Sequence, residues 1–128
     1  MPSLKLDNKL RFLIAEDNPN NQELMKIYVR SFGGVPEVTE NGKQALETFK
    51  RETFDIILMD MKMPVLDGFS ASEKIRELNP DIPIIAVSVY GEEEIKERQK
   101  KPVINCYIEK PYHRKDLFRA IEKCYKQS

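Results

Sequence analysis

Apolar residues fall into two alternating patterns along the chain. Short apolar runs occur at residues 12–15 (FLIA), 54–59 (FDIILM) and 82–89 (IPIIAVSV), with weaker ones at 36–39 (PEVT) and 103–108 (VINCYI). The strongest runs are apolar on both faces, which suits parallel strands covered by helices on either side. Between the runs lie segments with helical spacing: Leu24, Ile27, Tyr28 and Phe32; Ala45, Leu46 and Phe49; Ala71, Ile75 and Leu78; Leu117, Ile121 and Tyr125. Each set is expected to form the core stripe of one helix. Polar punctuation agrees. Asn18-Pro19 reads as an N-cap with proline in the first turn, and Gly33-Gly34 as the stop of that helix. Asn41-Gly42 precedes the second helix, and Asn79-Pro80 ends the third. Strand and helix repeated five times predict one α/β domain, a doubly wound five-stranded parallel sheet with five helices and right-handed crossovers. Residues 1–9 fall outside the pattern and read as an extension or linker before a domain over 10–128.

The segment 91–101 is the exception among the helices. Ile95 is its only large apolar residue, set among Glu92, Glu93, Glu94, Lys96, Glu97, Arg98, Lys100 and Lys101. Acids lead and bases trail, as a helix dipole favours. A helix with so little apolar surface is expected to dock loosely, and so could shift or bind a partner.

Composition narrows the function classes. At 128 residues the chain buries a real core without staples. Lys plus Arg equals Asp plus Glu, 21 against 21, and no basic block interleaves with aromatics, so direct nucleic-acid binding is not expected. No apolar run is long enough to span a bilayer, and the first ten residues carry charges where a signal core would be apolar. A soluble, cytoplasmic protein without membrane contact is the expectation. Cys106 and Cys124 stand far apart without a CxxC or a His/Cys cluster, and read as reduced, semi-buried thiols.

In an open α/β sheet the functional crevice lies beyond the carboxyl ends of the strands. The first run ends in Glu16-Asp17, the third in Asp60, the fourth in Ser88 and the fifth in Lys110. Three carboxylates brought together repel one another and raise each other's pKa. A hard divalent cation relieves that repulsion, and Mg²⁺ (or Mn²⁺) takes one or two carboxylates together with phosphate oxygens. Lys110 supplies a point charge for the same oxygens and Ser88 a hydroxyl. Asp60 would then be the nucleophile of an acyl-phosphate chemistry.

Four blocks, IAEDN (14–18), ILMDMKMPVLDG (57–68), IIAVS (84–88) and YIEKP (107–111), closely resemble the receiver domain of two-component response regulators. They occur in order, and the likeness runs from about Leu10 to Tyr125. The resemblance implies a flavodoxin-like (βα)5 fold in which Asp60 accepts a phosphoryl group from a phosphohistidine. It implies Mg²⁺ held by Asp17, Asp60 and the backbone carbonyl of Lys62, with Glu16 acting largely through water. Lys110 would clamp the phosphoryl oxygens, Ser88 would swing in to bond them, and Tyr107 matches the family's switch aromatic. Asp67-Gly68 matches the turn into the third helix. The donor would be a histidine kinase or a histidine phosphotransfer protein. A dimer through the fourth helix, fifth strand and fifth helix is a further expectation. EDNPNNQ (16–22) is most similar to receivers attached to hybrid histidine kinases, and the chain reads as a stand-alone regulator or as the receiver of a longer kinase without a DNA-binding output domain.

Three departures stand against that pattern. Val89 follows Ser88 where the family favours a very small residue, so access to the pocket is expected to be tighter. Pro102-Val103 replaces the glycine that commonly ends the fourth helix. Lys62 and Tyr90 occupy positions that modulate phosphate lifetime, and bulky Tyr90 is expected to hinder the attacking water. Two rivals remain. A haloacid-dehalogenase-type phosphatase would want a second aspartate where Lys62 stands, and a phosphorylation-independent pseudo-receiver would be expected to lack the acidic pair, the acceptor or the lysine. His113 reads as a surface residue at the start of the last helix, and Asn21 and Met25 as exposed neighbours of the first helix's core stripe, placed to dock a phosphodonor.

Overall fold

The computed structural model describes residues 9–125. The extension expected before Leu10 therefore lies, apart from Lys9, outside the described residues. Strands and helices alternate as β1 (Arg11–Ala15), α1 (Pro19–Ser31), β2 (Val35–Thr39), α2 (Gly42–Arg51), β3 (Ile56–Met59), α3 (Gly68–Leu78), β4 (Ile84–Ser88), α4 (Glu92–Arg98), β5 (Cys106–Glu109) and α5 (Arg114–Tyr125). The five strands form one parallel sheet in the order β2-β1-β3-β4-β5. The winding reverses between β1 and β3, and at such a switch point the helices diverge and leave a crevice beyond the strand ends.

Every position of β3 and of β4 is buried, as uninterrupted apolar runs require. Alternate side chains feed two separate cores. Phe12, Ile14, Ile56, Leu58, Ile85 and Val87 pack against α1 and α5. Leu13, Ala15, Ile57, Met59, Ile84 and Ala86 pack against α2, α3 and α4. Each large aliphatic side chain so buried contributes about 1.5–3 kcal/mol of transfer free energy. Helix starts follow the expected capping: the side-chain oxygens of Asn18, Asn41 and Asp67 accept the N–H groups of Asn21, Gln44 and Ser70. α1 stops at Gly33, whose φ of +91° is a left-handed conformation that glycine adopts without strain.

The helix faces depart from expectation in two places, on α1 and on α3. α1 is rotated by about one residue: its buried positions are Met25 and Val29 with the cap Phe32, spaced i, i+4, i+7, while Leu24 and Ile27 face outward, Ile27 at 57% exposure. Met25, expected at the surface, is in the core. On α3 the stripe is Ala71, Ser72 and Ile75, and Leu78 projects past the last turn at 54% exposure. α4 stops at Arg98, well short of Pro102, and buries only Ile95.

The cysteines also overturn the reading of reduced thiols. Cys106 of β5 and Cys124 of α5 form a disulfide, with Cα atoms 6.6 Å apart across a sequence separation of 18. The β5–α5 crossover folds the chain back so that two residues remote in sequence face each other in one core. Among the described residues no helix is long and apolar enough to cross a membrane.

Candidate functional site

β1 and β3 lie side by side, with Ala15 in register with Met59. The residues that follow each strand therefore emerge together, Glu16 and Asp17 beside Asp60. The Asp60 N–H donates to the Ala15 carbonyl (3.0 Å), so the sheet continues one step past the strand end and fixes the backbone under that carboxylate. Glu16 is likewise tied to β2 through the Thr39 carbonyl (3.1 Å). Gly68 opens α3 directly against the same point. A Cβ there would run into the Asp60 carbonyl oxygen, so glycine is what allows α3 to begin this close.

Carboxylate oxygens of Glu16, Asp17 and Asp60 all lie within 4.8 Å of one another. Lys110 reaches across from beyond β5, its Nζ 2.6 Å from Glu16 Oε1 and 3.1 Å from Asp60 Oδ2. The remaining oxygens are occupied too: Asp60 Oδ1 accepts the Lys62 N–H (3.0 Å) and Glu16 Oε2 the Asn18 N–H (3.1 Å). Glu16 and Asp60 are buried, whereas Asp17 is exposed. Burial pushes the Glu16 carboxyl above its usual range, against the opposing pull of Lys110 and the Asn18 N–H. For Lys110 burial works to lower the pKa, but the hydrogen bond to Glu16 and the charges of Asp60 and Glu16 outweigh it and hold the ammonium charged. Three carboxylates against one ammonium leave the cluster about two charges negative, which suits a divalent cation with oxygen ligands.

These groups line one open cleft of about 430 Å³ together with Asn18, Asn21, Lys62, Met63, Pro64 and Val89. Of the residues expected at the site, Glu16, Asp17, Asp60, Lys62, Lys110 and Val89 meet there. Val89 is 56% exposed and lines the cleft. Ser88 is fully buried at the end of β4, its Oγ accepts the Tyr90 N–H (3.2 Å), and it does not line the cleft. Tyr90 is not at the cleft, for its ring lies under the Arg98 guanidinium at 4.3 Å. Tyr107 sits on the α4 side, 3.4 Å from Gln99 Nε2 and under Lys96. The exposed His113 precedes α5, its N–H bonded to Asp116 Oδ2. Asn18, Met63 and Pro64 escaped sequence reasoning as cleft residues; the N-cap role of Asn18, beside two acids, was the available signal.

The model of the response regulator receiver domain matches residues 12–122. The autoinducer 1 sensor kinase/phosphatase LuxN of Vibrio campbellii is 39% identical over 88 residues, covering 68% of this chain and 10% of that protein. Hybrid signal transduction histidine kinase I of Dictyostelium discoideum is 36% identical over 120 residues, 87% of this chain and 7% of that protein. The chain thus spans a tenth or less of the length of these two relatives. Among solved structures, the receiver domain of a Pseudomonas aeruginosa sensor histidine kinase superposes with a TM-score of 0.86 at 33% identity, covering 94% of this chain and 100% of that one. That structure holds a magnesium ion in its active-site cleft.

Proposed function

The chain belongs to the response regulator receiver domain family, and from that premise we propose that Asp60 is its phosphoacceptor, loaded from a phosphohistidine on a histidine kinase or histidine phosphotransfer protein. The observation that carries this reading is the junction of Glu16, Asp17 and Asp60 under the ammonium of Lys110. The working unit on this reading is residues 10–128, the receiver of a phosphorelay, either a stand-alone regulator or the receiver of a longer hybrid kinase.

Asp17 and Asp60, the backbone carbonyl of Lys62 and, through water, Glu16 are the groups that would hold Mg²⁺ or Mn²⁺. The ion supplies neutralisation of the phosphoryl oxygens as charge shifts onto the new bond. The chain's own residues do the rest. An Asp60 carboxylate oxygen attacks phosphorus, an O–P bond forms, the P–N bond breaks, and the imidazole leaves on the donor. Lys110, already 3.1 Å from Asp60 Oδ2, exchanges that oxygen for a phosphoryl oxygen. The Ser88 hydroxyl gives up the Tyr90 N–H and turns toward the phosphoryl group. Phosphorylation adds about −1.5 to −2 charge, and the β4–α4 loop and Tyr107 follow the exchange. Val89, the cleft-facing member of the Val89–Tyr90 pair, limits access of water to the acyl phosphate, with Tyr90 behind it. A dimer through α4, β5 and α5 would carry the output, without direct nucleic-acid contact by this domain.

The test is labelling with acetyl phosphate, with and without Mg²⁺, on wild type and Asp60→Asn. A hydroxylamine-sensitive adduct that needs both Mg²⁺ and Asp60 is expected. Its absence in the folded wild type overturns the reading and favours a phosphorylation-independent module.

A further inference from the structure

We propose that Cys106 and Cys124 form a reversible thiol–disulfide site, oxidised by an anionic low-molecular-weight disulfide of the glutathione class, whose closure pins α5 to β5. The proposal does not rest on phosphotransfer. It starts from the disulfide that joins the two elements, each cysteine sitting in the core shared by β5 and α5. The two cysteines are buried alike, at 7 and 8% exposure, and differ in the cleft beside them. Cys106 lines a cleft of about 490 Å³ between α4, β5 and α5, and Cys124 does not. Lys96, paired with Glu92 at 2.7 Å, lines the cleft together with Arg119 and Lys123. Such a surround draws an anionic disulfide toward Cys106. With the bond open, each cysteine packs as a small apolar side chain in the same place. Both redox states are therefore compatible with one fold.

The chemistry balances. Cys106 releases its proton to solvent and its thiolate attacks one sulfur of glutathione disulfide. That S–S bond breaks, and one glutathione leaves as a thiolate that takes up a proton. The Cys124 thiolate then attacks the Cys106 sulfur of the mixed disulfide and expels the second glutathione. Two protein thiols are oxidised, and one glutathione disulfide is reduced to two thiols.

The consequence lies in what the bond encloses. The segment between the two cysteines carries Tyr107 and Lys110, and α5 packs on the sheet through Leu117, Phe118 and Ile121. A cross-link across a loop of this length removes freedom from the opened chain and so resists local opening of α5.

Reduced and oxidised glutathione are the probes, with alkylation and peptide mapping as the thiol readout on the full chain. Expected in the native protein is a Cys106–Cys124 cystine in oxidised buffer and two alkylated cysteines in reduced buffer, each convertible to the other. In Cys124→Ala, glutathione should accumulate on Cys106. In Cys106→Ala, modification of Cys124 should be slower by roughly tenfold or more. Amide exchange of α5 in wild type should slow on oxidation, and Asp60→Asn should show the same thiol chemistry. Thiols that stay free in oxidised buffer, a cystine that reduced glutathione cannot open in the folded state, or equal modification rates in the two variants would each overturn the site. Unchanged α5 exchange would overturn the pinning. These readouts on wild type hold even where an alanine variant folds poorly, and they separate failure here from failure of the phosphoacceptor reading.

Discussion

Helices α1 and α4 flank one sheet on opposite faces and are held to it by different means. α1 runs 13 residues, is capped by the Asn18 side chain, and buries Met25 and Val29, with Phe32 at its end tilted against Phe118 at 5.0 Å. α4 runs seven residues, begins at Gly91 without a side-chain cap, and buries Ile95 alone. Charge holds the rest of α4. Glu92 pairs with Lys96 and Glu94 with Arg98, and the two bases lie over the rings of Tyr107 and Tyr90 at 5.6 and 4.3 Å. Exposed i,i+4 pairs are worth about 0.3–0.5 kcal/mol each and exposed cation–π contacts about 0.5–1 kcal/mol. Packing therefore fixes the half of the sheet that delivers the carboxylates. The half that carries Ser88 and Tyr107 is trimmed by contacts that exchange at small cost. Under the proposed function, that division would keep the acceptor still while its surroundings respond.

Truncating one buried aliphatic side chain in each half should break the symmetry most visibly. Leu58 lies on central β3 between β1 and β4, fully buried. Leu58→Ala should lower the unfolding free energy by about 3–4 kcal/mol in urea titration, as deep-core Leu→Ala changes do. Ile95 is just as buried, yet Ile95→Ala should cost only about 1 kcal/mol globally, because α4 can open locally before the sheet unfolds. Its signature should instead be fast amide exchange confined to residues 92–99. Equal global losses for the two variants would show that α4 is bound as firmly as β3.

Arg76 sharpens the contrast from the opposite end of the sheet. Its guanidinium donates to the carbonyls of Asn79, Ile82 and Val103 (3.3, 2.7 and 2.7 Å) and to Asn105 Oδ1 (2.8 Å). One side chain thus ties the end of α3 to the start of β4 and to the loop after α4. Burial lowers the Arg76 pKa, opposed by the charge of Asp81, but a guanidinium stays charged. Arg76→Leu strands several partly buried acceptors and should cost about 2 kcal/mol by the same titration, an intermediate loss between those of Leu58→Ala and Ile95→Ala.

Why some of this was legible in the sequence and some was not follows from the kind of signal each residue carries. β3 and β4 were plain because a strand buried on both faces must be apolar throughout, and the carboxylates were plain because each ends such a run. The face of α1 was ambiguous. Leu24, Ile27, Tyr28 and Phe32 fit a helical stripe as well as Met25, Val29 and Phe32 do, and only the sheet underneath decides between stripes one residue apart. Leu78 followed the period but lies at the last residue of α3, where the helix has run past the sheet. The cysteine pairing and the four bonds of Arg76 join residues whose meeting depends on crossovers, and no local spacing encodes that. Ser88 and Tyr90 were identified by position, but their orientation depends on the Arg98 stack and the Tyr90 N–H, which are tertiary facts.

The smallest effect bears on the rigid half alone. Burial raises the Glu16 pKa above its ordinary 4.5. Below pH 4.5 Glu16 is neutral in folded and unfolded chains alike, and its favourable contribution is complete. As pH rises, the unfolded carboxyl ionises first, so stability is lost until Glu16 also ionises in the folded state. Lys110, also raised, contributes in full below its ordinary 10.5 and loses that contribution as pH rises through its folded value. At pH 7, above the ordinary carboxyl range, the Glu16 contribution is therefore reduced while that of Lys110 is still present. Glu16→Gln keeps the shape and an oxygen for Lys110 but gives up the acceptor for the Asn18 N–H, and loss of the buried charge should still raise Tm at pH 7 by about 2 °C. The difference from wild type should shrink toward zero below pH 4.5. Millimolar Mg²⁺ should raise Tm more in wild type than in the variant, because the cation relieves a repulsion to which the neutral amide no longer contributes. A variant less stable than wild type at pH 7 would mean that the Lys110 pair outweighs burial, and that the acidic cluster stabilises the fold. A variant more stable, with a smaller Mg²⁺ response, would mean that the packed half of the molecule holds a carboxylate buried at a cost, with the charge of Asp60 adding to it, in readiness for a cation.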